Sequence, residues 1–220
     1  MKIEELTLFS SDLAAQEHFY VREMGFPCVL SNDYRLVLQA GNSRLVFEKA
    51  SHTHPVHFAF LIPGDSFTQA NKWLRQRVEL LPFEDEEIID FPNWHAKAQY
   101  FYDADKNIVE FIARRDVEGK APATFWAGEV LQIGEVGLPA QDLEKLYRDL
   151  NTLDYLPKYD GDFNRFGAAG DPQGLFIMVN PYEKDWFPTG DKVMPAHLRV
   201  RGDFNFEYNN EMLTAINNPI

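Results

Sequence analysis

Residues 100–112, YFYDADKNIVEFI, read as two strands joined by a tight polar turn. Aromatic and β-branched residues fill both arms. Between them, Asp103-Ala104-Asp105-Lys106-Asn107 carries side chains able to bond their own backbone. Alternate residues of a strand face opposite sides. In the second arm Val109, Phe111 and Ala113 therefore share one face, and Glu110 points the other way with Ile108 and Ile112. A carboxylate among apolar neighbours is costly unless it is paired or bound to a cation.

The hairpin closes a longer unit. VHFAFLI (56–62) reads as its first strand, with Phe58, Phe60 and Ile62 opposing His57, Ala59 and Leu61. Asp65 is the expected cap of a helix over SFTQANKWLRQRV, with Phe67, Trp73 and Leu74 as its apolar stripe. An acidic loop, PFEDEEIIDFP, leads into AKAQYFYD. The same order stands upstream. IEELTLF is a strand and Asp12 caps LAAQEHFYVREM, where Leu13, Phe19, Tyr20 and Met24 share a face. Gly25 stops that helix, and PCVLSN, YRLVLQA and RLVFEKA follow, the last two turned by Gly41-Asn42. Downstream, VLQIGEVGLPA, DLEKLYRDLN and a hairpin about Asp171-Pro172-Gln173-Gly174 form a third copy, and AHLRVRGDF begins an incomplete fourth. Such a repeat sets the architecture. The expectation is an α+β fold of βαβββ units whose curved mixed sheets enclose a cavity, with helices outside. Residues 1–115 would be a complete domain of two units facing one cavity, 116–125 a linker, and 126–220 a second, incomplete domain.

The opening EELTLFSSDL…FYVREMGF and the closing YFYDADKNIVEFI resemble the vicinal-oxygen-chelate superfamily, the group of glyoxalase I, bleomycin-resistance proteins and extradiol dioxygenases. In the turn Ala104 replaces the family's Pro and Lys106 its Gly. The resemblance covers most of 1–113 and, more weakly, 130–203. It implies four strands that each aim one metal ligand into the cavity, at Glu5, Glu48, His57 and Glu110. Where the family usually has His, this chain has Glu5. The implied cofactor is a divalent ion such as Zn, Ni, Mn or Mg, with Glu110 or Glu48 also able to move a proton. One His with up to three Glu is a harder donor set than the two-His-one-carboxylate iron site of ring-cleaving dioxygenases.

Other residues carry weaker signals. His95, beside Trp94 in FPNWHAKAQ, begins an expected cavity strand, and the pair is a candidate substrate contact. His52 and His54 read as solvated loop residues and Cys28 as buried and inert. In the third unit Glu135 stands seven residues before Asp142, as Glu5 stands before Asp12. With His197 it reads as part of a decayed copy that binds no metal, Met178 sitting where Glu48 sits.

The formal charge of −13 and the lack of a basic stripe argue against nucleic acid and anionic membranes as partners. No apolar stretch approaches a membrane span, MKIEELTLF does not resemble a signal peptide, and the cytoplasm is the expected location. The expected partner is a small molecule, with a homodimer left open. Three functions follow from the resemblance. The first is a metal-dependent lyase or isomerase acting on a small oxygenated molecule. The second is a metal-free, drug-sequestering binder, and the third an extradiol dioxygenase.

Overall fold

A computed structural model describes residues 1–117 and 123–217. The first unit runs β1 (Ile3–Ser10), α1 (Leu13–Glu17), β2 (Cys28–Ser31), β3 (Arg35–Ala40) and β4 (Ser43–Lys49). The second runs β5 (His57–Ile62), α2 (Phe67–Leu74), β6 (Leu80–Leu81), β7 (Ile89–Phe91), β8 (Ala96–Tyr102) and β9 (Ile108–Arg114). The third is β10 (Gln132–Pro139), α3 (Leu143–Leu153), β11 (Lys158–Gly161), β12 (Phe166–Asp171) and β13 (Gly174–Val179). In the fourth, β14 (His197–Gly202) passes to β15 (Phe206–Asn209) and β16 (Met212–Ala215) without a helix.

Local chemistry explains most of these elements. The Asp12 carboxylate accepts from Ala15 N at 3.0 Å and that of Asp142 from Lys145 N at 2.8 Å, so both helices are capped as expected. On α2 the capping position falls to Ser66 rather than Asp65, and Ser66 Oγ turns back to the Pro63 carbonyl. After Glu17, α1 loosens into a π turn over His18–Glu23, where Met24 N bonds Phe19 O, and Gly25 follows at a φ of 73°. Leu13, Phe19, Tyr20 and Met24 are all buried. In the 103–107 turn Asp103 accepts the backbone N–H of Asp105 and Asn107, with Lys106 at a φ of 64°. Gln16 and Tyr20 of the first unit also donate to Asp103, tying that helical segment to the hairpin of the second unit.

In each of the first three units the first strand lies parallel to the last: β1 to β4, β5 to β9, β10 to β13. Between units the first strands pair antiparallel, and the partners are not those expected. β5 pairs with β10 and β1 with β14. The two units of residues 1–115 therefore do not close on one cavity. The second unit closes with the third and the first with the fourth, across the proposed linker. Of that linker, residues 118–122 lie outside the described residues. All the named strands belong to one continuous sheet, and Ile3 of β1 also meets Ile133 of β10. The larger apolar core, which includes Phe58, Phe60 and Phe111, packs under the helices. A smaller cluster with Ala59, Ile108 and Ile112 covers the opposite face. Cys28, expected to be buried, is exposed on β2, an edge strand bonded to β3.

Gly41 joins the first and third units. It takes a φ of 58°, and a β-carbon there would fall on the carbonyl oxygens of Val130 and Leu131. Asn42 N donates to Leu131 O at 2.7 Å. Gly41→Ala is expected to destabilise the protein by about 2–3 kcal/mol in urea unfolding, because backbone rather than a flexible side chain must move.

Candidate metal centre

Three neighbouring strands, β10, β5 and β9, build the centre. Ala59 of β5 lies opposite Glu135 of β10 on one side and Glu110 of β9 on the other. His57 stands two residues earlier on β5, hence on the same face. Two carboxylates thus reach over one small side chain toward one imidazole. Glu135 arrives there through a bulge. The β5–β10 register shifts between Ile133 and Glu135, so Ile133 packs in the helix-side core while Glu135, at the same parity, faces the cavity. Gly134 sits in the bulge, where a β-carbon would come within 2.9 Å of Leu61 Cβ.

His57 Nε2 lies 3.4 Å from a Glu110 carboxylate oxygen and 3.7 Å from one of Glu135. Its Nδ1 lies 3.1 Å from the Ile108 carbonyl, which accepts the Nδ1 proton and turns Nε2 toward the carboxylates. All three side chains are buried. Burial, then the charge of Glu135, push the Glu110 carboxyl well above the usual range, against the pull of Arg114 and of a hydrogen bond from Tyr100. Burial and the two carboxylates likewise hold the Tyr100 hydroxyl well above its ordinary value. Arg114, fully buried, pairs with Glu135 and donates to the Pro172 carbonyl at 3.1 Å, while its Nε has no partner.

One nitrogen and two carboxylates with ligand atoms within 4.8 Å of one another suit a metal ion. Ligands bound at about 2.1 Å to one transition metal lie about 3–3.5 Å apart, close to the His57 distances. Nε2 and one oxygen of each carboxylate converge on a common point. The residues therefore fit a cation. The cluster sits in a cavity of about 330 Å³. Its walls are largely aromatic and aliphatic, among them Trp94, Phe166, Trp186, Ile112 and Ile177. Trp186 lies 5.4 Å from His57, ring centre to ring centre. Gly137 makes room for it, since a β-carbon there would come within 2.7 Å of the Trp186 ring.

Of the expected ligands, His57 and Glu110 meet, but Glu48 and Glu5 stand elsewhere. Glu48 pairs with Arg199 and lies 3.7 Å from Arg35. Glu5 lies 3.7 Å from Arg35 and 3.9 Å from Arg201. The first and fourth units thus join these carboxylates to arginines of β3 and β14. The ligand-type residue that completes the cluster is Glu135, which stands with His57 and Glu110 and not with His197. Position 178 is not the cavity position of β13 either: Met178 packs in the helix-side core, and Ile177 lines the cavity. Trp94 lines the cavity. His95 does not: it is exposed, at a φ of 47°, with Nδ1 3.1 Å from Asp116. His52, His54 and His197 surround a separate small pocket.

No family model and no curated protein matches the sequence. Solved structures do. A putative dioxygenase from Bacillus subtilis subsp. subtilis str. 168 superposes at a TM-score of 0.60, covering 97% of this chain and 68% of that one at 13% identity. A lactoylglutathione lyase from Agrobacterium tumefaciens covers 51% of this chain and 92% of its own at 20% identity and a TM-score of 0.42. A glyoxalase/bleomycin resistance protein/dioxygenase from Nocardioides covers 57% and 89%, also at 20% identity and 0.42. At such identities likeness speaks for architecture. The match to the Bacillus subtilis structure, with the repeated units and outer helices, agrees with the fold implied by the vicinal-oxygen-chelate resemblance.

Proposed function

We propose that this chain is a divalent-metal-dependent enzyme of the lyase or isomerase type, acting on a small oxygenated molecule. The observation that carries the reading is the meeting of His57, Glu110 and Glu135 at a buried point of an apolar cavity. A bound Zn, Ni, Mn or Mg ion would supply Lewis-acid stabilisation of negative charge on substrate oxygens. His57, Glu110 and Glu135 would hold it. Arg114 orients Glu135 and balances its charge. Glu110, ionised beside a bound cation, could accept a proton from the substrate. Trp186, Trp94 and Phe166 exclude water and give the substrate an apolar seat. A lone imidazole with two carboxylates argues against ring-cleaving iron chemistry.

A metal-free binding protein is the competing reading, and Arg114 favours it. It neutralises one carboxylate, and a protonated Glu110 would leave the cluster uncharged. Metal analysis of the purified, dialysed protein separates the two. The metal reading expects about one divalent ion per chain, lost in His57→Ala and Glu135→Gln. Glu5→Gln and Glu48→Gln should keep the ion, because those carboxylates face arginines instead. A wild-type protein that binds no divalent ion at any stoichiometry leaves the binder.

The pH dependence has a defined sign. Below the raised value of Glu110 the carboxyl holds a proton that an incoming cation must displace. Metal affinity should therefore rise with pH, by up to about tenfold per unit, and level off once Glu110 is ionised. Calorimetric titrations in buffers of different ionisation enthalpy should show proton release on binding. Arg114→Met should destabilise the metal-free protein by about 3–5 kcal/mol in urea unfolding, since it leaves a buried carboxylate without its partner. Arg114→Met combined with Glu135→Leu should recover most of that loss.

A further inference from the structure

The cluster occupies one region of the cavity, and a cation without a counter-ion stands in another. Lys184, in the segment after β13, lines the same cavity and is partly buried. Its Nζ lies 4.4 Å from the centre of the Phe166 ring. Among the described residues its ammonium has no carboxylate within ion-pair distance; Lys72, Lys97, Lys106 and Lys158 share that, but Lys184 is the lysine that lines this cavity. The chain carries 34 acidic residues against 21 lysines and arginines. Two of those acids also line the cavity. Asp160 is taken by the indole N–H of Trp94 at 2.6 Å, and Asp90 lies on β7, outside ion-pair reach of Lys184. A second cation, Arg165, stands near enough that its charge, after burial, lowers the Lys184 ammonium below its ordinary value. Two neighbouring cations repel, and an anion between them and the cavity would relieve that cost.

We propose that Lys184 is a specificity-determining residue that pairs with a carboxylate of the substrate. The substrate class is then a small planar carboxylic acid. Its unsaturated body lies along Phe166 and Trp94, and its other oxygens face His57, Glu110 and Glu135. This inference rests on the metal-site reading for the second contact only. The lysine, the aromatic wall and the missing counter-ion stand without it.

The experiment uses two probes that differ in one charge, 3,4-dihydroxybenzoate and 3,4-dihydroxybenzamide. Both carry vicinal oxygens and a planar ring. Binding is followed by quenching of tryptophan fluorescence, since Trp94 and Trp186 line the cavity, and the metal content of each sample is measured. The acid should bind wild type at least about tenfold more tightly than the amide, a difference of about 1.4 kcal/mol. Lys184→Gln should erase that preference while leaving amide affinity within about twofold, and Lys184→Arg should retain it. Equal affinities in wild type, or a preference that survives Lys184→Gln, would overturn the proposal. A metal-loaded protein without acid preference fails this inference and leaves the metal reading standing. A Lys184-dependent preference in a protein that binds no metal supports this inference and sinks that reading.

Discussion

The antiparallel pairing of β5 with β10 is the constraint on which the rest depends. Each strand alone carries a single ligand-type residue on its cavity face, too little for a site. Paired with the bulge at Ile133–Glu135, they place Ala59 between Glu110 and Glu135 and set His57 one pleat away. Both the bulge and the alanine are necessary. Without the bulge, Ile133 and Glu135 would share a face, and burying one would mean burying the other among apolar side chains. With a larger residue at position 59 the two carboxylates could not approach across the strand. Arg114, at the end of β9, then offsets part of the charge the pairing concentrates, which keeps a buried two-carboxylate cluster compatible with a folded protein.

The architecture was legible because hydrophobic alternation and capped helices repeat along the chain. Period-two patterning also assigned the faces of β5 and β9 as the structure has them: Phe58, Phe60 and Phe111 lie in the helix-side core, while His57 and Glu110 line the cavity. The choice of partner unit was not legible. β5 and β10 are joined across some seventy residues, and edge pairing over such a span leaves no local pattern. Sequence proximity favoured the first unit as partner of the second, and that choice carried Glu5 and Glu48 into the site. Two signals pointed the other way. Glu135 shares with Glu5 the seven-residue spacing before a capping aspartate. In HLRVRG the positions 197, 199 and 201 alternate with buried Leu198 and Val200. Two arginines therefore face the same side as Glu5 and Glu48.

The comparison of Glu5 with Glu135 shows how one backbone device gives two outcomes. Both glutamates follow a register shift, between Ile3 and Glu5 in β1 and between Ile133 and Glu135 in β10. Both end on the face away from the helices. The strand opposite decides their fate. Across from Glu5, β14 presents Arg201, and Arg199 follows two residues along. Across from Glu135, β5 presents Ala59 and then His57. Glu5 and Glu48 each lie near two arginines, which surround them with positive charge. Glu135 pairs with a single arginine, Arg114, through one oxygen, while its other oxygen lies 3.7 Å from His57. The first and fourth units thus gather ion pairs on that face, and the second and third line a cavity there.

Net charge sets the terms on which that ligand enters. A chain at −13 draws divalent cations toward itself and repels small acids. A cation held by two buried glutamates is therefore well matched to the whole molecule, whereas an anionic substrate approaches against the field. Screening confines that field to about 8–10 Å at physiological salt, so the contest is settled by charges at the cavity. There Asp160 is engaged by Trp94, and Lys184 rests on Phe166 with Arg165 near it. With no cation in the cluster, Arg114 offsets Glu135, and burial favours the protonated form of Glu110. On the proposed reading, a divalent ion bound there would add positive charge to the cavity and make the entry of an acid less costly.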